Sequence, residues 1–189
     1  MSVRMFAGVL GALLFLSVPA SAQPPIAVGA AVNLMKTRDD ALGERRITVG
    51  PVFRLVPRKG IAPSWGLSWF ETEFDLSAIG GPAVEGRLTI RPVMGGASYT
   101  FGDRDLALSL SAVGGYAFNK LRGSDQVSVE NSAVFRPGVS LWKTLHPRFG
   151  LNFFGGYVIT RPTVTVSGVE RKLKADYAVF SAGGAVVLF

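Results

Sequence analysis

The chain has no cysteine, so neither disulfides nor thiolate metal sites hold it together. Histidine occurs once, at His146 before Pro147, and one His with scattered carboxylates does not make a metal site. Charge is also scarce, at 17% of residues against 48% apolar, yet beyond the first 22 residues no apolar run approaches a transmembrane helix. The apolar residues are instead spread in alternation. A chain that turns alternate residues of every strand toward lipid has a high apolar fraction without a long apolar run. The 23 glycines penalise helix and suit a narrow barrel whose interior cannot hold large groups everywhere.

What is present begins with a leader. Met1 to Ala22 has a basic start at Arg4, an apolar stretch from Met5 to Val18, and Ala20-Ser21-Ala22 ahead of Gln23. This is the pattern of a cleaved secretory signal peptide, with an apolar core too short for an anchor. The expected organisation is a signal peptide over 1–22 and one domain over 23–189, of 167 residues.

Eight alternating stretches follow. Ile26, Val28, Ala30, Val32 and Leu34 oppose Ala27, Gly29, Ala31 and Asn33, and Ile47, Val49, Phe53 and Leu55 oppose Thr48, Gly50 and Arg54. Pro51 interrupts the second stretch, where a bulge or weakened pairing is expected. From Trp65 to Leu76, Glu71, Glu73 and Asp75 share a face that cannot look at lipid, so they are expected inside. From Arg87 to Phe101, Leu88, Ile90 and Met94 are assigned outward and Arg87, Thr89 and Arg91 inward. A hairpin symmetric about Gly81 sets Asp75 opposite Arg87 and Glu71 opposite Arg91. Asp105 to Asn119 alternates most cleanly, with Leu106, Leu108, Leu110, Ala112, Tyr116 and Phe118 outward. Ala133 to Lys143 puts Phe135, Val139 and Leu141 outward against Val134, Arg136, Gly138 and Ser140, and Phe149 to Thr160 sets Leu151, Phe153, Tyr157 and Ile159 against Asn152, Phe154 and Thr160. The last stretch, Asp176 to Phe189, gathers Tyr177, Val179, Ala185, Val187 and Phe189 on one face. It is expected to close the sheet by pairing with Phe149 to Thr160 and with Ile26 to Met35, which leaves no exposed edge.

The first, third, fifth and seventh connections are polar and long and the others mostly short, as in barrels with short periplasmic turns and longer external loops. Aromatic residues fall near the expected membrane interfaces, with Trp65, Tyr99, Phe101, Trp142, Phe149 and Phe189 at the inner edge and Phe74, Phe118, Tyr157 and Tyr177 at the outer.

The leader, the eight alternating strands, the aromatic belts and the terminal Phe together resemble the small OmpA/OmpX-type outer-membrane β-barrels of Gram-negative bacteria. The resemblance covers essentially the whole mature chain and is one of architecture. It implies an all-β, eight-stranded, antiparallel up-and-down transmembrane barrel in the outer membrane. It also implies that Tyr177, Val187 and Phe189 mark the final strand for the barrel assembly machinery. No ligand follows from it. Lipid A deacylases and palmitoyltransferases need a His and a Ser at the membrane rim, but His146 falls in a periplasmic turn and Ser140 points inward. An omptin-like protease needs its His at the outer rim. No enzyme, no cofactor and no metal site are therefore expected.

Two groups of charges stand out. Arg54, Glu71, Glu73, Asp75, Arg87, Arg91 and Arg136 are expected in the lumen, as ion pairs that plug it or as the lining of a narrow pore. Eight strands leave an interior that side chains fill, which favours the plug. The formal net charge is +7, or +6 without Arg4. Arg45, Arg46, Lys120, Arg122, Arg161, Arg171, Lys172 and Lys174, with Lys36 and Arg38, lie in or beside external segments, where phosphate-rich lipopolysaccharide would meet them. Asp39, Asp40 and Glu44 share those segments, so a solvated mixture of loop charges is the competing reading. Export argues against nucleic acid as partner, and a monomer is expected. The leading function is a structural, envelope-integrity or surface-contact role. The alternatives are a narrow, porin-like passage for small or apolar solutes, and a soluble periplasmic lipocalin-like barrel, whose apolar face would point inward.

Overall fold

The computed structural model describes residues 26–37, 45–67, 70–75, 85–103, 105–122, 127–166 and 168–188. The expected leader, the segment 76–84 and Phe189 lie outside these residues. In order, the elements are β1 (Ile26–Thr37), β2 (Arg45–Leu55), β3 (Gly60–Leu67), β4 (Phe70–Asp75), β5 (Glu85–Gly102) and β6 (Leu106–Arg122). They continue with β7 (Val127–Val129), β8 (Ser132–His146), β9 (Phe149–Thr160), β10 (Thr163–Val166), β11 (Val169–Lys172) and β12 (Tyr177–Leu188). No helix occurs among the described residues.

β3 and β4 pair with β5 in one unbroken register, from Gly60 opposite Thr100 to Asp75 opposite Glu85, so they are two stretches of a single wall strand. The wall then has eight antiparallel strands in the order β2-β1-β12-β9-β8-β6-β5-β3. The last strand joins the first: β12 pairs with β9 on one side and with β1 on the other, from Ile26 opposite Leu188 to Thr37 opposite Tyr177. β2 and β3 stand at the two ends of the path, with no ladder between them among the described residues. The curl shows in contacts across the interior, where Arg54 of β2 donates to Asn152 of β9 and the Arg136 guanidinium of β8 lies against Gly66 of β3.

Large apolar side chains stand on the outside. A row runs Leu110, Val139, Gly155, Phe180, Leu34 and Ile47 across six strands, joined pair by pair through the ladders. All of these except Gly155 are exposed large hydrophobics. Tyr99 against Phe101 and Tyr116 against Phe118 add edge-to-face aromatic pairs near the two ends of that surface, at 4.7 and 5.6 Å between centroids. A lipocalin-like soluble barrel would turn this face inward, so the arrangement decides against it. Short turns close one end, at 56–59 and 147–148 and between Gly102 and Leu106. In the last of these, Asp103 Oδ1 accepts from the N–H groups of Asp105 and Leu106. The β7, β10 and β11 segments occupy the other end, which is the external one by the barrel rule.

Several expectations are corrected. Glu73, not Asp75, sits opposite Arg87, and Glu71 sits opposite Thr89, a shift of two residues. On β5 the faces are reversed, because Leu88, Ile90 and Met94 are buried inside while Arg87 and Arg91 are exposed. The reason is length. β5 has 18 residues, whereas a transmembrane strand needs about 9–11. Its outer half therefore leaves the lipid, and there water takes the charges while the apolar face packs inward. Glu71 and Glu73 share the Arg87 face by register, so Glu71, Glu73, Arg87 and Arg91 do not form a lumen network. The Arg87–Glu71 ion pair, at 3.4 Å with side chains 57% and 24% exposed, is a surface pair worth about 0–1 kcal/mol. The Asp75 side chain is outside the described residues.

On β12, Tyr177, Val179 and Ala185 are buried and Val187 packs on the interior, whereas Phe180, Val186 and Leu188 face out. Tyr177 and Trp142 thus belong to the interior, not to the aromatic belts. Both faces of β12 are apolar, so alternation alone does not say which one meets lipid. Pro51 opposes Ala30 in an unbroken register without a bulge, on a strand laddered on one side only among the described residues, where proline is tolerated. The irregularity lies instead at Thr144/His146. Finally, the two segments taken as loops after Lys120 and Arg161 carry strands, since β7, β10 and β11 form a separate three-stranded sheet.

Close approach at the joining ladder requires Gly29, where a Cβ would run into the Gly184 carbonyl. Gly29→Val should abolish the compact, heat-modifiable form on unboiled gels. Gly95→Ala, with open space around that Cβ, should retain it. On the lipid face, Val139→Arg should cost about 2–4 kcal/mol of folding stability in bilayers. Val169→Arg on β11 should change it by less than about 0.5 kcal/mol, as measured by denaturant unfolding.

Candidate functional site

The interior is layered. At the short-turn end Trp142, Ala27, Ala107 and Ala185 form a buried floor, with Val56 and Val187 packed against it. Trp142 is 1% exposed, its Nε1 donates to Thr144 Oγ1 at 2.9 Å, and a Cβ at Gly150 would run into its ring. The small residues around it make room for the one large group that closes this end.

Above the floor is a polar layer. Its hydroxyls occupy inward positions of successive strands and bond to each other or to backbone: Thr100 and Ser109 at 2.8 Å, and Ser111 to the Gly138 carbonyl at 3.3 Å. Two arginines project into it. Arg54 donates from Nη1 to Asn152 Oδ1 and from Nε to the Leu55 carbonyl at 3.3 Å, with its guanidinium 5.4 Å from the Trp142 ring centroid. Arg136 lies 4.8 Å over the Phe154 ring, and its Nε is buried with no hydrogen-bond partner among the described residues.

The outer layer is apolar. Met35, Leu88, Ile90, Met94, Val113, Val134, Val158, Tyr177 and Val179 from the wall join Val127, Val164, Leu173 and Ala175 from the external segments in one cluster. The external segments are tied down by backbone bonds, Glu130 N–H to the Thr163 carbonyl at 2.9 Å and Leu173 N–H to the Pro162 carbonyl at 2.9 Å. Thr160 N–H donates to Asp176 Oδ1 at 2.9 Å beside them. They form a roof, not mobile tails.

Of the expected lumen residues, Arg54 and Arg136 are inside and are brought to one cavity, which Glu71 also borders. Glu73, Arg87 and Arg91 are outside. Of the expected rim, Lys120, Arg122, Arg161, Arg171, Lys172 and Lys174 are exposed at the external end. Arg45 and Arg46 occupy the external end of β2, and their side chains are outside the described residues. His146 is exposed in the β8–β9 turn, where its Nδ1 accepts from Arg148 N–H at 3.4 Å. Ser140 lines the cavity six residues away, about 20 Å along an extended strand, so the two do not make a catalytic pair. Among the described residues no group of His, Asp and Glu could hold a metal ion. Sequence analysis missed the roof and the floor. Trp142 has an inward-facing parity with Ser140, and that was the available signal.

No protein-family model and no curated protein matches the chain. Solved structures do. Neisserial surface protein A is similar over 86% of this chain and 97% of its own, at 14% identity and a TM-score of 0.53. The outer membrane protein OprG from Pseudomonas aeruginosa covers 87% and 96%, at 8% identity and 0.59. The outer membrane protein AlkL covers 91% and 95%, at 15% identity and 0.59. With the apolar outer face, this decides the fold. The chain has the fold of the small, eight-stranded outer-membrane β-barrels. At such identities the likeness carries the fold alone, and the barrel's role has to be argued from its own interior and rim.

Trp142 is the largest fully buried side chain among the described residues. Trp142→Ala should cost about 3–5 kcal/mol, measured by denaturant unfolding in lipid. Trp142→Phe should cost distinctly less.

Proposed function

We propose that this barrel has no enzymatic activity and serves as a structural or surface-contact element of the outer membrane, with its lumen blocked along the axis and its external rim held in lipopolysaccharide. The observation that carries the reading is the apolar roof. Wall residues and the β7, β10 and β11 segments bury one another there, so an ion moving along the axis would meet tightly packed hydrocarbon. The plug is thus apolar packing and not the ion pairs expected from the sequence. Trp142 supplies a second block at the inner end.

The roof also supports the reading of the rim. Arg171 and Lys172 sit on β11, opposite Val164 and Thr163 of β10, and Lys174 and Arg161 flank the same hairpin. A small sheet presenting several cations at lipid-headgroup level favours charge-assisted contacts with phosphate over independent solvated loop charges. The leader over 1–22, recognition of the final strand by the assembly machinery and a monomeric state belong to the same proposal.

Two experiments test it. In planar bilayers the purified protein should show no steady single-channel current; stable stepwise channels abolished by a substitution at Arg136 would contradict the axial block. Lipopolysaccharide should raise the thermal stability of the folded barrel relative to zwitterionic lipid, and Arg171→Ala with Lys172→Ala should remove most of that gain. No difference between the lipids would contradict the rim.

A further inference from the structure

Between floor and roof the barrel retains a cavity of about 970 Å³, of the size that holds a small organic molecule. Its charge is unbalanced. Arg54 and Arg136 line it, Arg58 and Lys59 stand at its inner margin, and among the described residues the one carboxylate on its border is Glu71, whose oxygen is 3.4 Å from Arg87. No described carboxylate forms an ion pair with Arg54 or Arg136. A buried charged donor left without a partner has lost its hydration with nothing in exchange, and the Arg136 Nε is such a donor. An anion brought in from outside would make up that loss, and Arg54 would add a second cationic donor.

The remaining walls say what the anion is attached to. Phe154, Val158 and Val179 give the cavity an apolar side. Its lining also includes Val49, Phe53 and Ile61, which face outward and are 76%, 56% and 82% exposed. A cavity bordered by both faces of β2 and β3 opens sideways between those strands, toward the lipid. We propose that it binds an aliphatic carboxylate, with the carboxylate at the Arg136 and Arg54 guanidinium groups and the chain lying along Phe154 and out between Val49, Phe53 and Ile61. The site is independent of the rim and of the axial block.

Equilibrium binding of labelled dodecanoate to the full-length folded protein in phosphatidylcholine nanodiscs, corrected with empty nanodiscs, tests this. Saturable one-to-one binding is expected, with dodecanol at least about ten-fold weaker on the unaltered protein. Arg136→Gln should weaken dodecanoate by about ten-fold and Arg136→Lys by less, each variant first shown to keep its heat-modifiable form. Equal binding of dodecanol overturns the proposal, and so does unchanged dodecanoate binding in both Arg136→Gln and Arg54→Gln. Displacement of dodecanoate by inorganic phosphate at equal concentration would make this a plain anion site and overturn the assignment of an aliphatic ligand.

Discussion

In hydrocarbon every backbone N–H and C=O must find its partner within the protein, and that constraint governs this chain. Seven ladders running from β2 through β1 and β12 to β5 and β3 meet it for the strands between the two ends of that path, with the joining of the last strand to the first as the decisive step. Close packing there needs Gly29 and Ala30 opposite Ala185 and Gly184, because larger groups would push the strands apart. Once the ladder is in place, the two-residue period divides each strand into a lipid face and an inner face. The remaining choices concern only which face is which and what fills the inside.

Those choices change with height. Within the lipid the outer face has to be apolar, so polar groups collect inside around Arg54, Arg136 and the hydroxyl layer. Beyond the lipid the solvent outside is water, and the preference reverses. Leu88 and Ile90 turn inward and meet Val127, Val164 and Leu173, while Arg87 and Arg91 turn out. The same alternation thus produces a polar chamber and an apolar roof in one continuous wall. The roof blocks the axis and holds the basic hairpin of β10 and β11 in place.

This reversal also explains how much the sequence disclosed. Eight strands, their order and the joining of Tyr177–Leu188 to Ile26–Thr37 were legible, because alternation and turn chemistry are local signals. β6 was legible residue by residue: Leu106, Leu108 and Leu110 face out against Ala107 and Ser109. β5 was not, because placing charges inward assumes that the strand is in lipid along its whole length. β12 gave no preference between two apolar faces. β7, β10 and β11 have three or four residues each, too few for a period to register. Arg54 and Arg136 were recognised as interior, but the missing carboxylates around them depend on a register that the hairpin loop does not encode.

The reversal along β5 is the central claim, and the absence of cysteine makes it directly measurable. Single cysteines placed from 87 to 101 can carry spin labels, read by their accessibility to oxygen, which concentrates in lipid, and to a water-soluble nickel chelate. Positions 93, 95, 97, 99 and 101 should favour oxygen and positions 87 and 91 the chelate, while 88, 90 and 94 should be shielded from both. High oxygen accessibility at 88, 90 and 94 would contradict the account.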